Sequence, residues 1–232
     1  FADDVRTSLN STIAGVTMSP GDDKLIVLDN KGTLTKYGTD GIFDGRFKAP
    51  LFSNFRPNQV VMQGEKVLVA GFKISGFEIV GFGMSRLNHN GSIDKTFGKD
   101  GSMVTDISGY SYEAIGDVKI LKDGKILLVG RGLNTKTNVY NGIIVRYTSN
   151  GLLDTTFGKS GMAIYQSQSM FTSVEVQADG KLLIGGQVGY KPAVLRLTSN
   201  GSLDNSFSGG VRVGVKNGII NINKSSQYLS EK

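Results

Sequence analysis

Four aspartates are the residues best placed for chemistry. Asp44, Asp94, Asp154 and Asp204 stand 50, 60 and 50 positions apart in the segments DGIFDGRF, NGSIDKTF, NGLLDTTF and NGSLDNSF. Repeated aspartates invite a calcium reading, since hard cations take oxygen ligands and some repeat proteins hold one ion per repeat. Each segment offers a single acid at the key position, however, and an aspartate accepting backbone N–H groups in its own turn accounts for the pattern more cheaply. No metal site is expected. A basic residue precedes each aspartate by eight positions: Lys36, Arg86, Arg146 and Arg196. A constant interval in units of unequal length implies a local bond, so each base is expected to meet its own aspartate or the turn carbonyls beside it.

Other candidates are sparse. The chain has no cysteine, which removes disulfides, thiolate nucleophiles and cysteine metal ligands together. Its one histidine, His89, takes the turn position held elsewhere by Thr39, Ser149 and Ser199, and reads as a surface turn residue. Gly158-Lys159-Ser160 resembles the end of a phosphate loop, but Leu153 occupies the place of the first glycine. Gly81-Phe82-Gly83 lacks the third glycine of a dinucleotide loop, because Arg86 stands there. Glu78, Asp106 and Glu113 break the repeat, and a carboxylate- or metal-dependent hydrolase would need such acids to converge. Nothing in their spacing shows that they do. The chain is therefore expected not to be an enzyme, with no catalytic residue and no cofactor.

The elements that position the aspartates also repeat. DDKLIVL, GEKVLVAG, DGKILLVG and DGKLLIGG each precede one of the aspartate segments. Before each comes an alternating stretch such as Ser173 to Val176, the period of a half-buried strand, here called A. Asp123-Gly124 and Asp179-Gly180 predict two-residue hairpin turns of type I′. The aliphatic runs Ile126 to Val129 and Leu182 to Ile184 predict strand B, buried on both faces. GIIVRYTSNG and its counterparts give strand C, and Met162 to Tyr165 or Met103 to Thr105 give strand D. No amphipathic helical pattern exceeds two turns, so sheets must pack on sheets. Strict repetition of four-stranded units favours an all-β propeller over a two-layer sandwich. The expectation is one β-propeller domain over 1–232, with four recognisable four-stranded blades at roughly 13–50, 56–106, 114–166 and 172–215. The chain ends match no unit and are left for a fifth or partial blade, or for pairing with another chain.

The pattern DGKI-aliphatic-aliphatic-GG, then a strand with arginine, then NGSLD-x-x-FG-x-x-G, resembles the delta-60 repeat, a bacterial β-propeller family. The third and fourth units match almost throughout. The second carries Gln63-Gly64-Glu65-Lys66 at its first turn, and the first has Lys36 for arginine. The resemblance spans roughly Val16 to Val211 and implies the fold, while these repeats occur in many exported or surface-associated proteins of unassigned role.

Composition bounds the rest. Glycine supplies 32 of 232 residues against 4 prolines, which points to many turns. The net charge of +6 is scattered along the chain, without the basic stripe of a nucleic-acid binder. Apolar runs are far shorter than a membrane span needs. A chain starting at Phe1 suits an exported protein trimmed of its signal peptide, or a fragment. The functional expectation is a non-catalytic binding or scaffolding module, extracellular or periplasmic, that engages a protein or glycan partner. A homo-oligomer is expected if the propeller closes between chains.

The B–C and D–A connections of a blade emerge on one side, and the B–C connections vary most in length here. Their aromatics sit beside small polar residues, which suits a protein or glycan contact. Phe77, Tyr110, Tyr112 and Tyr140 are the expected anchors. Phe47, Phe97, Phe157 and Phe207 are read instead as packing residues between blades.

Overall fold

The computed structural model describes residues 11–52, 55–76, 78–207 and 219–221. These form four antiparallel sheets and no helix. The first sheet holds β1 (Ile13–Ser19), β2 (Lys24–Asp29) and β3 (Leu34–Tyr37). The second holds β4 (Phe55–Gln63), β5 (Lys66–Ser75), β6 (Glu78–Leu87) and β7 (Ser102–Thr105). The third holds β8 (Tyr110–Ile120), β9 (Ile126–Asn134), β10 (Val139–Tyr147) and β11 (Met162–Tyr165). The fourth holds β12 (Ser169–Val176), β13 (Leu182–Val188), β14 (Lys191–Leu197) and β15 (Ile219–Asn221). Strands follow chain order across every sheet. The first unit thus has three strands among the described residues, where four were expected.

Strand B explains how these sheets stack. Along β9 the apolar run alternates: Ile126 and Leu128 enter the core shared with the second sheet, while Leu127 and Val129 enter the core shared with the fourth. A third core, around Ile26, Leu28, Val67 and Val69, joins the first sheet to the second. Continuous apolar sequence is what a strand covered on both faces requires. Among the described residues, no comparable interface joins the first sheet to the fourth.

The hairpin chemistry differs from the expectation. In the third unit only Gly124 has positive φ, +80°, while Asp123 does not. The amide of Gly124 donates to the Leu121 carbonyl and that of Leu121 to the Lys125 carbonyl. This is a three-residue loop ending in a left-handed glycine, not a two-residue type I′ turn, because one positive-φ position is available rather than two. Asn150-Gly151 closes strand C in the same way.

At the far end of strand B, Gly130 is required by close approach. β8 bulges between Ile115 and Asp117, and a Cβ at position 130 would fall on the Ala114 carbonyl oxygen.

Candidate functional site

The repeated aspartates are structural joints. Asp154 Oδ1 accepts the Thr156 amide at 3.2 Å and hydroxyl at 2.6 Å, and Oδ2 accepts Arg146 Nε at 2.8 Å. Asp94 with Arg86 and Asp204 with Arg196 repeat the 2.8 Å bond. The lysine that opens strand B adds a second cation: Lys125 lies 3.2 Å from Asp154 and Lys181 3.2 Å from Asp204. Burial pushes the Asp94 carboxyl up, but the Thr96 hydroxyl and amide and the Arg86 guanidinium outweigh it and hold it at about 2.

The guanidinium also reaches the next unit. Arg86 Nη1 donates to the Ser149 carbonyl at 2.7 Å, and Arg146 Nη1 to that of Ser199 at 2.6 Å. The backbone repeats the link, since the Gly98 amide donates to Asn150 O and the Gly158 amide to Asn200 O, both at 2.8 Å. Beneath each arginine lies the motif phenylalanine, with guanidinium carbon to ring centroid 4.8 Å at Phe97 and 4.7 Å at Phe157. Both rings are fully buried, and Phe47 is nearly so. The turn glycine of the following unit sits against the ring, where a Cβ at Gly151 would lie 2.7 Å from Phe97 and one at Gly201 2.8 Å from Phe157. Phe47, Phe97 and Phe157 insert between sheets, as expected, whereas Phe207 is only half-buried.

The first unit departs from the expected pairing. Lys36 does not meet Asp44; its ammonium lies 2.9 Å from Asp22, and Asp44 is held by Lys24 at 2.7 Å. An ammonium lacks the fork that lets arginine serve its aspartate and the next turn together. His89 fills the gap, with Nε2 3.1 Å from both Lys36 Nζ and Asp22 Oδ2. It is a turn residue, and it also completes the joint between the first two sheets.

The B–C and D–A loops do share one face. Thr135, after β9, donates through its amide to the Gly109 carbonyl before β8, and the Gly189 amide donates to the Gln168 carbonyl. Asn134 organises the β9–β10 turn by accepting the Lys136 and Thr137 amides at 3.0 and 3.1 Å. Two cavities open here. One of about 510 Å³ is lined by Asn134, Thr137, Asn141, Gln166, Gln168 and Gly189. Its neighbour, about 760 Å³, is lined by Asp106, Tyr110, Asn134, Lys136, Lys159 and Gln166 among others.

The expected anchors divide. Tyr112 is 47% exposed on a left-handed backbone, φ +51°. Tyr110 is half-buried and its hydroxyl accepts Asn141 Nδ2 at 2.9 Å. Tyr140 is half-buried with the Arg131 guanidinium carbon 5.1 Å from its ring centroid. Register places Tyr110 opposite Asn134 and Tyr140 opposite Leu133, so both stand at one end of the third sheet. Phe77 lies outside the described residues. Of the other loop aromatics, Phe171 is buried core and Phe52 packs edge-on against Phe55. Sequence reading missed the amide cluster of Asn134, Asn141, Gln166 and Gln168, while Tyr190, one of the B–C loop aromatics, is 75% exposed. The lengthened B–C hairpin of the third unit was the available signal.

Of the acids outside the repeat, the Glu78 side chain lies outside the described residues. Glu113 is fully buried, and neither carboxyl oxygen has a hydrogen-bond partner among the described residues. Burial pushes its carboxyl up, and the charge of Asp106 adds to the rise. Asp106 and Glu113 are thus neighbours, though Glu113 has no solvent access as placed. At the opposite end of the sheets, a groove of about 640 Å³ runs between the A–B turns of the third and fourth sheets, lined by Leu121, Val176 and Ala178 and bordered by the Lys119–Glu175 ion pair at 2.7 Å. No helix of the described residues is long and apolar enough to cross a membrane.

Comparisons agree with this architecture. A family described as a domain of unknown function (DUF5122), beta-propeller, matches residues 121–157 and 177–207, the two units with complete motifs. No curated protein sequence matches the chain. Among solved structures of similar fold is one named glucose dehydrogenase, with TM-score 0.53 and 10% identity, covering 83% of this chain. This chain spans 66% of that one's length. At that identity the likeness shows the fold alone. It nevertheless corrects the expectation that the chain is no enzyme: the inference rested on an all-β repeat without catalytic motifs, and the same architecture carries a protein named for catalysis. Fold and missing motifs do not exclude activity.

Proposed function

We propose that the chain is a binding or scaffolding module, built on delta-60-type propeller blades and belonging to an exported or cell-envelope protein. It engages its partner through the face where the B–C and D–A loops meet. The observation that supports this reading is the pair of adjoining cavities around Asn134. Their rims combine side-chain amides, which donate and accept hydrogen bonds in fixed directions, with the ring of Tyr110, while Tyr112 and Tyr140 stand at the same end of the third sheet. Such a lining suits the hydroxyl groups and flat sugar faces of a glycan, or a polar protein surface. The rigid sheets beneath hold these groups in place, as a binding surface requires.

The test is a screen of the chain against immobilised glycans, envelope polysaccharides and envelope proteins, beside a Tyr112→Ser/Tyr140→Ser variant. The reading expects a bound class in the screen and its loss in the variant, with the thermal melt retained. Equal binding by the variant would rule this face out.

A further inference from the structure

The joint between successive sheets has two complementary halves, and among the described residues one copy of each is unmatched. The donor half is the arginine with its stacked phenylalanine. The acceptor half is the next unit's turn, with two carbonyls and a glycine that rests on the ring. Within the chain the halves meet as Arg86 and Phe97 with Ser149 to Gly151, and as Arg146 and Phe157 with Ser199 to Gly201.

The fourth unit leaves its donor half unmatched among the described residues. Arg196 holds Asp204 and Ser206 and stacks on Phe207 at 4.4 Å, as its counterparts do. Among the described residues it has no turn carbonyl to bond, and its side chain is 18% exposed against 8% and 10% for Arg86 and Arg146. The first unit leaves its acceptor half unmatched among the described residues. Thr39, Asp40 and Gly41 are exposed, and a Cβ at Gly41 would meet nothing within 4 Å, whereas Gly91 and Gly151 are buried.

The sheet faces agree. Val16, Val60, Val118 and Val174 occupy the same register, each paired with the third residue after the lysine of strand B. The last three are 5%, 1% and 1% exposed, packed on the preceding sheet. Val16 is 51% exposed and its neighbour Met18 56%, on a face that no sheet of the described residues covers.

We infer that the fourth sheet of one copy stacks on the first sheet of a second copy, Arg196 and Phe207 receiving the Thr39 to Gly41 turn. Because the halves differ, the contact runs head to tail, and two copies joined at both ends close the stack into one ring. Eight sheets fall within the usual four to eight of closed propellers. The inference concerns sheet ends and stands apart from the proposed loop-face function.

Native mass spectrometry and light scattering on the full chain test it, up to roughly 100 µM, where even micromolar contacts are populated. The expected mass is twice 24.8 kDa. Met18→Glu places a charge on a face already exposed in the single chain, and Phe207→Ala removes the ring at the other end. Each should weaken association roughly tenfold or more while far-ultraviolet circular dichroism stays unchanged. A mass of 24.8 kDa at every concentration overturns the inference. So does a dimer that both variants leave intact.

Discussion

Replacing Phe157 by Ala removes the ring that fills the space between the third and fourth sheets. The ring is fully buried, belongs to the core of Leu127, Val129, Leu182 and Ile184, and carries Gly201 on one side and the Arg146 guanidinium on the other. Truncating a buried phenylalanine costs about 3–5 kcal/mol through lost transfer energy and the cavity left behind. Loss of the cation over the ring adds about 0.5–2 kcal/mol. For a chain of this size each kcal/mol lowers Tm by about 2–4 °C, so the fall from the cavity alone is roughly 6–20 °C. Calorimetry or urea melts of the folded chain measure it. Leu152→Ala is the control, since Leu152 is 64% exposed and its loss should change stability by less than about 0.5 kcal/mol. A melt for Phe157→Ala indistinguishable from the control would refute both the packing role and the repeat register.

Three further outcomes follow from the same joints. Gly201→Ala and Gly21→Ala both place a side chain at φ +89°, but only Gly201 abuts the Phe157 ring, so Gly201→Ala should be the more destabilising by about 1 kcal/mol or more in paired urea melts. Arg146→Lys keeps the charge but loses the fork that serves Asp154, Thr156 and Ser199 together, and should cost about 1–3 kcal/mol in the same assay. Asp94 sits at about 2 in the folded chain, below the ~3.9 of an unfolded aspartate, so its contribution is full above roughly pH 4 and is lost as pH falls through 2. Asp44, Asp154 and Asp204 shift in the same direction, and the melting temperature should drop across that window, less steeply in Asp94→Asn.

The strands and the joints were legible because they repeat. Two-sided burial of β9 follows from an unbroken aliphatic run, and the Arg86–Asp94 bond from an interval held constant while unit lengths vary. One failure fell where the repeat is broken. Lys36 keeps the arginine position but not its geometry, so its bond to Asp22 and the role of His89 depend on a tertiary contact that spacing does not encode. The turn at Asp123-Gly124 was misread because a dipeptide does not reveal how many residues the hairpin loop holds; backbone bonds decide that. At the candidate site, Tyr112 was visible as an aromatic outside the core pattern. Asn134, Asn141, Gln166 and Gln168 carry no motif, and only the meeting of two loops brings them together. The packing of Phe171 and the tethering of Tyr110 by Asn141 likewise depend on tertiary contacts.

The loop face is tested most directly by hydrogen–deuterium exchange on the chain with and without a ligand identified by the screen. Slowed exchange is expected at 106–112, 135–141, 166–168 and 189–190, with the A–B turns unchanged. Protection confined to 119–123 and 175–180, the groove at the opposite end, would contradict the account.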